Sequence, residues 1–164
     1  VREIKSNRLN ELLNICEEVQ GKCIIWATYV HDIENICDVL KKTYGPYSYG
    51  AFYGATKQDE RQRLVEEFQD PDSEMRFFVG NSRTGGMGIT LTEASTVIYY
   101  SNNYDLEIRV QSEDRAHRIG QRNNVTYIDM VSPGTIDEKV LTALQNKQNI
   151  ASTVLGEELT EWFS

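Results

Sequence analysis

The feature that most constrains this chain is a set of short, unbroken apolar runs: "KCIIWA" at 22–27, "RFFVG" at 76–80, "TVIYYS" at 96–101 and "VTYIDMV" at 125–131. A strand that reads as a continuous apolar run, without polar alternation, is buried on both faces, which is the habit of parallel sheets. Segments of helical spacing separate the runs. Leu9, Leu12, Leu13, Cys16 and Val19 fall on one helix face that Gly21 ends, and Ile33, Ile36, Cys37 and Leu40 repeat the pattern. A further strand is predicted around "YSYGAFY", a helix from about Lys57 to Phe68, and a polar helix over about 105–118. A last helix starts near Thr135, where Thr135 and Glu138 have capping-box spacing. Strand and helix alternating in this way predict an α/β domain of three layers: a mainly parallel sheet of five or six strands with helices on both faces. Ligands of such a sheet are expected at the carboxyl ends of its strands.

At 164 residues one domain is the economical solution, burying roughly two-thirds of its unfolded surface. Lys and Arg number 17 against 25 Asp and Glu, a formal net charge of −8. That balance favours solubility and repels a polyanion, so nucleic-acid binding becomes a matter of local patches. Cys16, Cys23 and Cys37 are odd in number, lack C-x-x-C spacing and stand in apolar or helix-like surroundings. They read as reduced core thiols of a cytoplasmic or nuclear protein. His31 and His117 lack ligand spacing with any cysteine, so no metal site is expected. No apolar run approaches the roughly 18 residues of a spanning helix, and the sequence given shows neither a charged n-region nor an apolar h-region at Val1, so no membrane partner is expected. Val1 in place of an initiator Met leads us to expect a fragment.

After the run at 76–80 comes "GNSRTGGMGIT", whose Gly80-x-x-x-x-Gly85 frame invites comparison with a phosphate-binding Walker A loop. The comparison fails at the decisive positions. Gly86 stands where the lysine belongs and Met87 where the magnesium-binding hydroxyl belongs, so the chain alone is not expected to hydrolyse ATP. Gly85, Gly86 and Gly88 still allow backbone N–H groups to face an anion, although a plain tight turn explains them as well. Gly54-Ala55-Thr56 makes a similar offer, with Thr56 and Asp59 spaced as an N-cap pair on a helix whose N-terminus attracts phosphate; a purely structural cap is the alternative.

The segment "QSEDRAHRIGQ" concentrates cation on an anionic chain. On a helix Gln111, Arg115 and Arg118 share a stripe about 60° wide, with Gly120 placed to end the helix. With Arg109 and Arg122 they outnumber Glu113 and Asp114. Such an island either binds an anion or is a solvated face of ion pairs, and guanidinium groups suit a transferring phosphoryl group supplied across an interface. His117 lies off the stripe and reads as a packing or hydrogen-bonding residue.

These segments carry a resemblance. "KCIIWATY", "YGATKQDERQRLVEEF" with Arg61, "SRTGGMGITLTEASTVIYY", "QSEDRAHRIGQ" and the trailing "GTIDEKV" resemble motifs of the second RecA-like lobe of Swi/Snf-family double-stranded DNA translocases, within helicase superfamily two. The resemblance runs from Ile4 to about Ile150, and the third and fourth segments are its most specific part. It implies a RecA-like helicase C-terminal lobe over 1–150 and a helical tail over 151–164. The tail's Trp162 and Phe163 either dock on the absent first lobe or fray.

By the same resemblance, ATP and magnesium are bound mainly by that first lobe. Arg115 and Arg118 are the catalytic arginine fingers, and Gln111, Gly86 and Gly88 complete the nucleotide side. Thr28, Tyr29, Gly54, Thr56, Arg83, Thr84 and Gly85 contact the phosphates of double-stranded DNA without reading sequence. Where many members read Asp-Pro-x-Trp-Asn-Pro, this chain has Ser101-Asn102-Asn103-Tyr104-Asp105-Leu106, and Thr90 stands where Asn is usual. These departures resemble bacterial and bacteriophage members and argue against nucleosomes as substrate. Two rival readings stay open: a stand-alone nucleic-acid-binding module without ATPase activity, and the lobe of an RNA helicase.

Overall fold

The structure, a computed structural model, describes residues 2–84, 89–101, 105–116 and 125–131. The expected helix from Thr135, the tail at 151–164, Gly85, Gly86, Gly88, Gly120, His117, Arg118 and Arg122 lie outside the described residues.

The described elements follow the expected order: α1 (Arg2–Glu18), β1 (Lys22–Trp26), α2 (Val30–Tyr44), β2 (Tyr49–Phe52), α3 (Gln58–Gln69), β3 (Phe77–Gly80), β4 (Ala94–Tyr99), α4 (Leu106–Ala116) and β5 (Thr126–Asp129). Five strands form one sheet in the order β2-β3-β1-β4-β5. Each neighbouring pair is parallel, with Ile24 of β1 opposite Phe78 of β3 on one side and Val97 of β4 on the other. Three of the four apolar runs, β3, β1 and β4, occupy the centre, where β1 and β3 are buried along their whole length, whereas the fourth, β5, lies at an edge. The outer strand β2 alternates half-buried with buried residues, and β5 is half-buried for the most part.

Strand alternation divides the core into two layers. Cys23, Ile25, Phe77, Val79 and Ile98 point to the side covered by α1 and α2, where they meet Leu12, Cys16, Ile33, Ile36 and Leu40. Ile24, Trp26, Phe78, Val97 and Tyr99 point to the other side, where α3 contributes Leu64 and Phe68 and α4 contributes Ala116. The three thiols are free and buried. Burial pushes Cys16 up to about 11 and Cys23 and Cys37 up to about 12.

Cations join these layers through the backbone. The ammonium of Lys22 donates to the carbonyls of Phe68 at 2.7 Å and Asp70 at 2.6 Å and to the Ser73 hydroxyl at 2.9 Å, closing the C-terminus of α3 where carbonyls lack helical partners. Arg76 does the same for α1, donating to Cys16 O at 2.8 Å, to Gly21 O at 3.0 Å and to Val19 O. Arg8 of α1 reaches the carboxyl ends of β4 and β5, donating to Tyr100 O and, at 3.1 Å, to Met130 O.

Candidate functional site

Because the strands are parallel, β1 to β4 deliver their following loops to one edge of the sheet. These loops are knitted together by two residues that sequence reasoning passed over. Asn81, directly after β3, donates its side-chain N–H to Thr28 O at 3.0 Å and its backbone N–H to Phe52 O at 3.2 Å, and accepts from Arg83 N at 2.9 Å. The last bond is an Asx turn, so an Asn following a strand and preceding a glycine-rich stretch was the available signal. Ser101, after β4, accepts from Thr28 N at 2.7 Å. The N–H of Thr28 is therefore committed inside the lobe, whereas Tyr29 is 58% exposed and stacks on His31 with ring centroids 5.6 Å apart. Arg83 is exposed and Thr84 half-buried.

The turn after β2 is built differently from the cap expected of it. The residue at the N-cap of α3 is Lys57, with no side-chain capping bond. Thr56 instead turns its hydroxyl back to β2, donating to Ala51 O at 2.9 Å and accepting from Tyr53 N at 3.1 Å, while its N–H bonds Tyr53 O at 3.0 Å. A short hydroxyl side chain satisfies the local turn before it can serve the helix one residue later. Arg61 holds the turn from α3, donating to Thr56 O at 3.0 Å and Tyr53 O at 3.1 Å. Gly54 is exposed at its tip, and a methyl there would meet nothing within 4 Å. Its backbone is thus open to approach from outside.

Helix α4 joins the carboxyl end of β4 to the amino end of β5 and so runs against the strands. Asp105 caps it by accepting from Ile108 N at 3.3 Å. Its sheet-facing side is polar: Arg109, Ser112 and Arg115 are buried together with Ala116. Arg109 donates to both carboxylate oxygens of Asp129, at 2.6 and 3.0 Å, and to Glu113 at 2.9 Å, and its guanidinium lies 3.5 Å from the centroid of the Tyr99 ring. Burial alone would lower the Arg109 pKa, but the hydrogen bonds to Asp129 and the neighbouring carboxylates outweigh it and hold the guanidinium above its ordinary value. Burial pushes the Glu113 carboxyl up, against the pull of Arg109. Ser112 shares a 2.7 Å hydrogen bond with the Tyr99 hydroxyl.

Arg109 therefore finds its anion within the lobe. The expected cationic island is smaller than the sequence suggested, because Asp129 lies twenty residues away in another element. Gln111 is half-buried and Arg115 is 7% exposed.

The expected site residues fall into two groups. Thr28, Tyr29, Gly54, Thr56, Arg83 and Thr84 gather at the carboxyl edge. Arg115 does not join them. It stands at the far end of α4, where its carbonyl accepts from Leu91 N at 2.8 Å, three residues before β4 begins. The first group thus stands at the carboxyl ends and Arg115 does not, since a helix antiparallel to its strands carries its last turn to the opposite edge. The stretch from Asn81 to Leu91 starts at the carboxyl edge and ends beside Arg115, roughly one strand length or 15 Å away. It touches both groups. Beside it, between Thr84 and Ile89 on one side and Phe52, Arg61 and Val65 on the other, lies a cavity of about 610 Å³. Among the described residues no cluster of His, Cys, Asp or Glu could hold a metal ion, and no helix is long and apolar enough to cross a membrane.

The parallel sheet with helices on both faces and loops converging at its carboxyl edge defines a RecA-like lobe. The helicase conserved C-terminal domain matches residues 4–120. Helicase SWR1 of Eremothecium gossypii is 38% identical over 164 residues, 98% of this chain and 11% of its own length. Chromatin-remodeling ATPase INO80 of Neurospora crassa is 33% identical over 151 residues, 92% of this chain and 7% of its own length. Among solved structures, the crystal structure of the C-terminal part of the Fun30 ATPase domain matches with a TM-score of 0.72 and 27% identity, covering 85% of this chain and 45% of that one. The chain belongs to the helicase conserved C-terminal domain family, in its Swi/Snf branch.

This chain spans about a tenth of the length of such curated relatives. They are eukaryotic and give the bacterial or bacteriophage-like expectation no support. That expectation leaned on the stretch at 101–106 and on Thr90, which stand in or beside connecting segments, and such segments vary too freely among relatives to mark a branch. The correction removes one ground for setting nucleosomes aside.

Proposed function

We propose that this chain is the second motor lobe of an ATP-dependent translocase or helicase acting on double-stranded DNA. In this reading a first RecA-like lobe of the same polypeptide binds the ATP triphosphate together with magnesium, which when bound neutralises phosphate charge. This lobe lends Arg115 and Arg118 to the γ-phosphate, with Gln111, Gly86 and Gly88 alongside. A guanidinium and a carboxamide on one helix suit phosphate oxygens, and a guanidinium already desolvated by its own lobe acts more strongly on developing charge than one in water. On the other edge Tyr29, Gly54, Arg83 and Gly85 meet the phosphates of one DNA strand, with Thr28, Thr56 and Thr84 beside them. The donors that Thr28 and Thr56 spend internally make them shapers of this surface as much as contacts. The isolated lobe is inactive in this account, and the full-length protein works in the nucleus, as expected of a eukaryotic remodeller's relative.

The observation that carries the reading is the stretch from Asn81 to Leu91, which is bonded at one end to the loop of Thr28 and at the other to the helix of Arg115. One segment in touch with both groups is what a motor needs to couple nucleotide state to its grip on DNA. Stimulation of the full-length protein's ATP turnover by duplex DNA, single-stranded DNA and RNA tests it. Duplex DNA is expected to stimulate most; preferential stimulation by RNA would move the chain to an RNA helicase, and no ATP turnover at all would leave a binding module.

A further inference from the structure

Helix α4 carries Arg115, and among the described residues Ala116 is its member in the apolar core. Apolar packing is non-directional, whereas hydrogen bonds fix orientation. The oriented contacts of α4 concentrate on one residue. Arg109 is 8% exposed and makes a two-pronged bond to Asp129, the last residue of β5, a third bond to Glu113, and a face contact with Tyr99, the last residue of β4. Ser112 extends the same grip, donating to Arg109 O at 2.7 Å while paired to the Tyr99 hydroxyl. Tyr127 of β5 donates its hydroxyl to Glu113 O at 3.2 Å. A guanidinium held by a planar fork is fixed in orientation as well as in distance, which a lysine ammonium is not.

We propose that Arg109, locked to Asp129, is the positioning residue that sets the orientation of α4 and hence aims Arg115, six residues or about 9 Å further along the helix. The inference rests on the reading of Arg115 as an arginine finger. A finger is useful only within about 0.5 Å and 10–20° of its productive placement. With the fork removed, the bond from Leu91 N to Arg115 O, the Ser112–Tyr99 hydroxyl pair and the Tyr127 hydroxyl on Glu113 O still join the helix to the lobe, but none of these is a charged two-pronged contact.

The test uses the full-length protein with three variants. Asp129→Asn keeps the shape of the carboxylate but removes its charge and one acceptor, Arg109→Lys keeps the charge but removes the fork, and Arg115→Ala removes the finger itself. DNA-stimulated turnover is measured together with the KM for ATP and the stoichiometry of ATP binding, and values are taken per folded molecule from thermal melts. Asp129→Asn is expected to lower kcat by about tenfold to a hundredfold, the range for a misplaced catalytic group, with KM within about twofold and one ATP still bound. Arg109→Lys is expected to lower kcat less, with the same split. If Arg115→Ala abolishes turnover while both lock variants keep wild-type kcat per folded molecule, the positioning role is wrong and the finger reading stands. Wild-type turnover in Arg115→Ala removes the finger reading itself. Should Asp129→Asn fail to fold, Arg109→Lys decides alone by the same criterion.

Discussion

At the scale of single residues, Gly80 shows how tightly the centre of the sheet is closed. It ends β3, and a Cβ built on it would lie 2.5 Å from Phe52 O and 3.2 Å from the Trp26 ring. Neither a backbone carbonyl nor a packed indole yields cheaply. Gly80→Ala is therefore expected to destabilise the domain by about 1–3 kcal/mol, the usual cost of overpacking, read as a lower urea midpoint at unchanged m-value. The thiols give a second expectation. Folded Cys16, Cys23 and Cys37 ionise at about 11 to 12, above the ordinary thiol, so above pH 9 the unfolded chain holds fewer protons than the folded one. Stability is then lost as pH rises from 9 towards 11, by at most about 1.4 kcal/mol per pH unit for each thiol. At pH 8 iodoacetamide should leave all three untouched in the folded chain and modify all three in urea. Rapid labelling of the folded chain would show that the thiols are not buried acids.

At the scale of elements, Lys22 illustrates how a cation on an acidic chain is used. Its ammonium closes the last turn of α3, and burial lowers its pKa against the pull of Glu93, Asp70 and Glu67. Lys22→Met keeps the length but strands the carbonyls of Phe68 and Asp70. A loss of about 1–3 kcal/mol is expected, with faster amide exchange confined first to the C-terminal turn of α3. The described strands and helices were legible in the sequence, because a strand buried on both faces, such as "CIIW", cannot hide its apolar run. The periodicity of Ile33, Ile36 and Leu40 likewise announced α2. What stayed hidden were pairings between elements distant in sequence. Charge pattern left Arg109 in an island that either binds an outside anion or forms local ion pairs on a solvated face, whereas folding buries it against Asp129. Local spacing made Thr56 a cap, whereas its hydroxyl is taken by β2. Asn81 and Ser101 gave only a weak turn signal, since their value lies in joining loops that converge only once the sheet exists.

At the scale of the whole molecule, the candidate site residues stand at two ends of the lobe separated by about the length of its strands. The sequence motifs named residues of both ends but not their separation, which follows from α4 running against β4 and β5. Arg115 is buried at one end, while Tyr29, Gly54 and Arg83 are exposed at the other. In the proposed motor the first end answers to nucleotide and the second to DNA, and closure of the two lobes joins them. The most direct measurement is DNA-stimulated ATP turnover by the full-length protein carrying Arg115→Ala together with Arg118→Ala, with folding checked by circular dichroism. The account predicts turnover reduced by about a thousandfold or more while the variant remains folded. Turnover close to that of the wild type would contradict it.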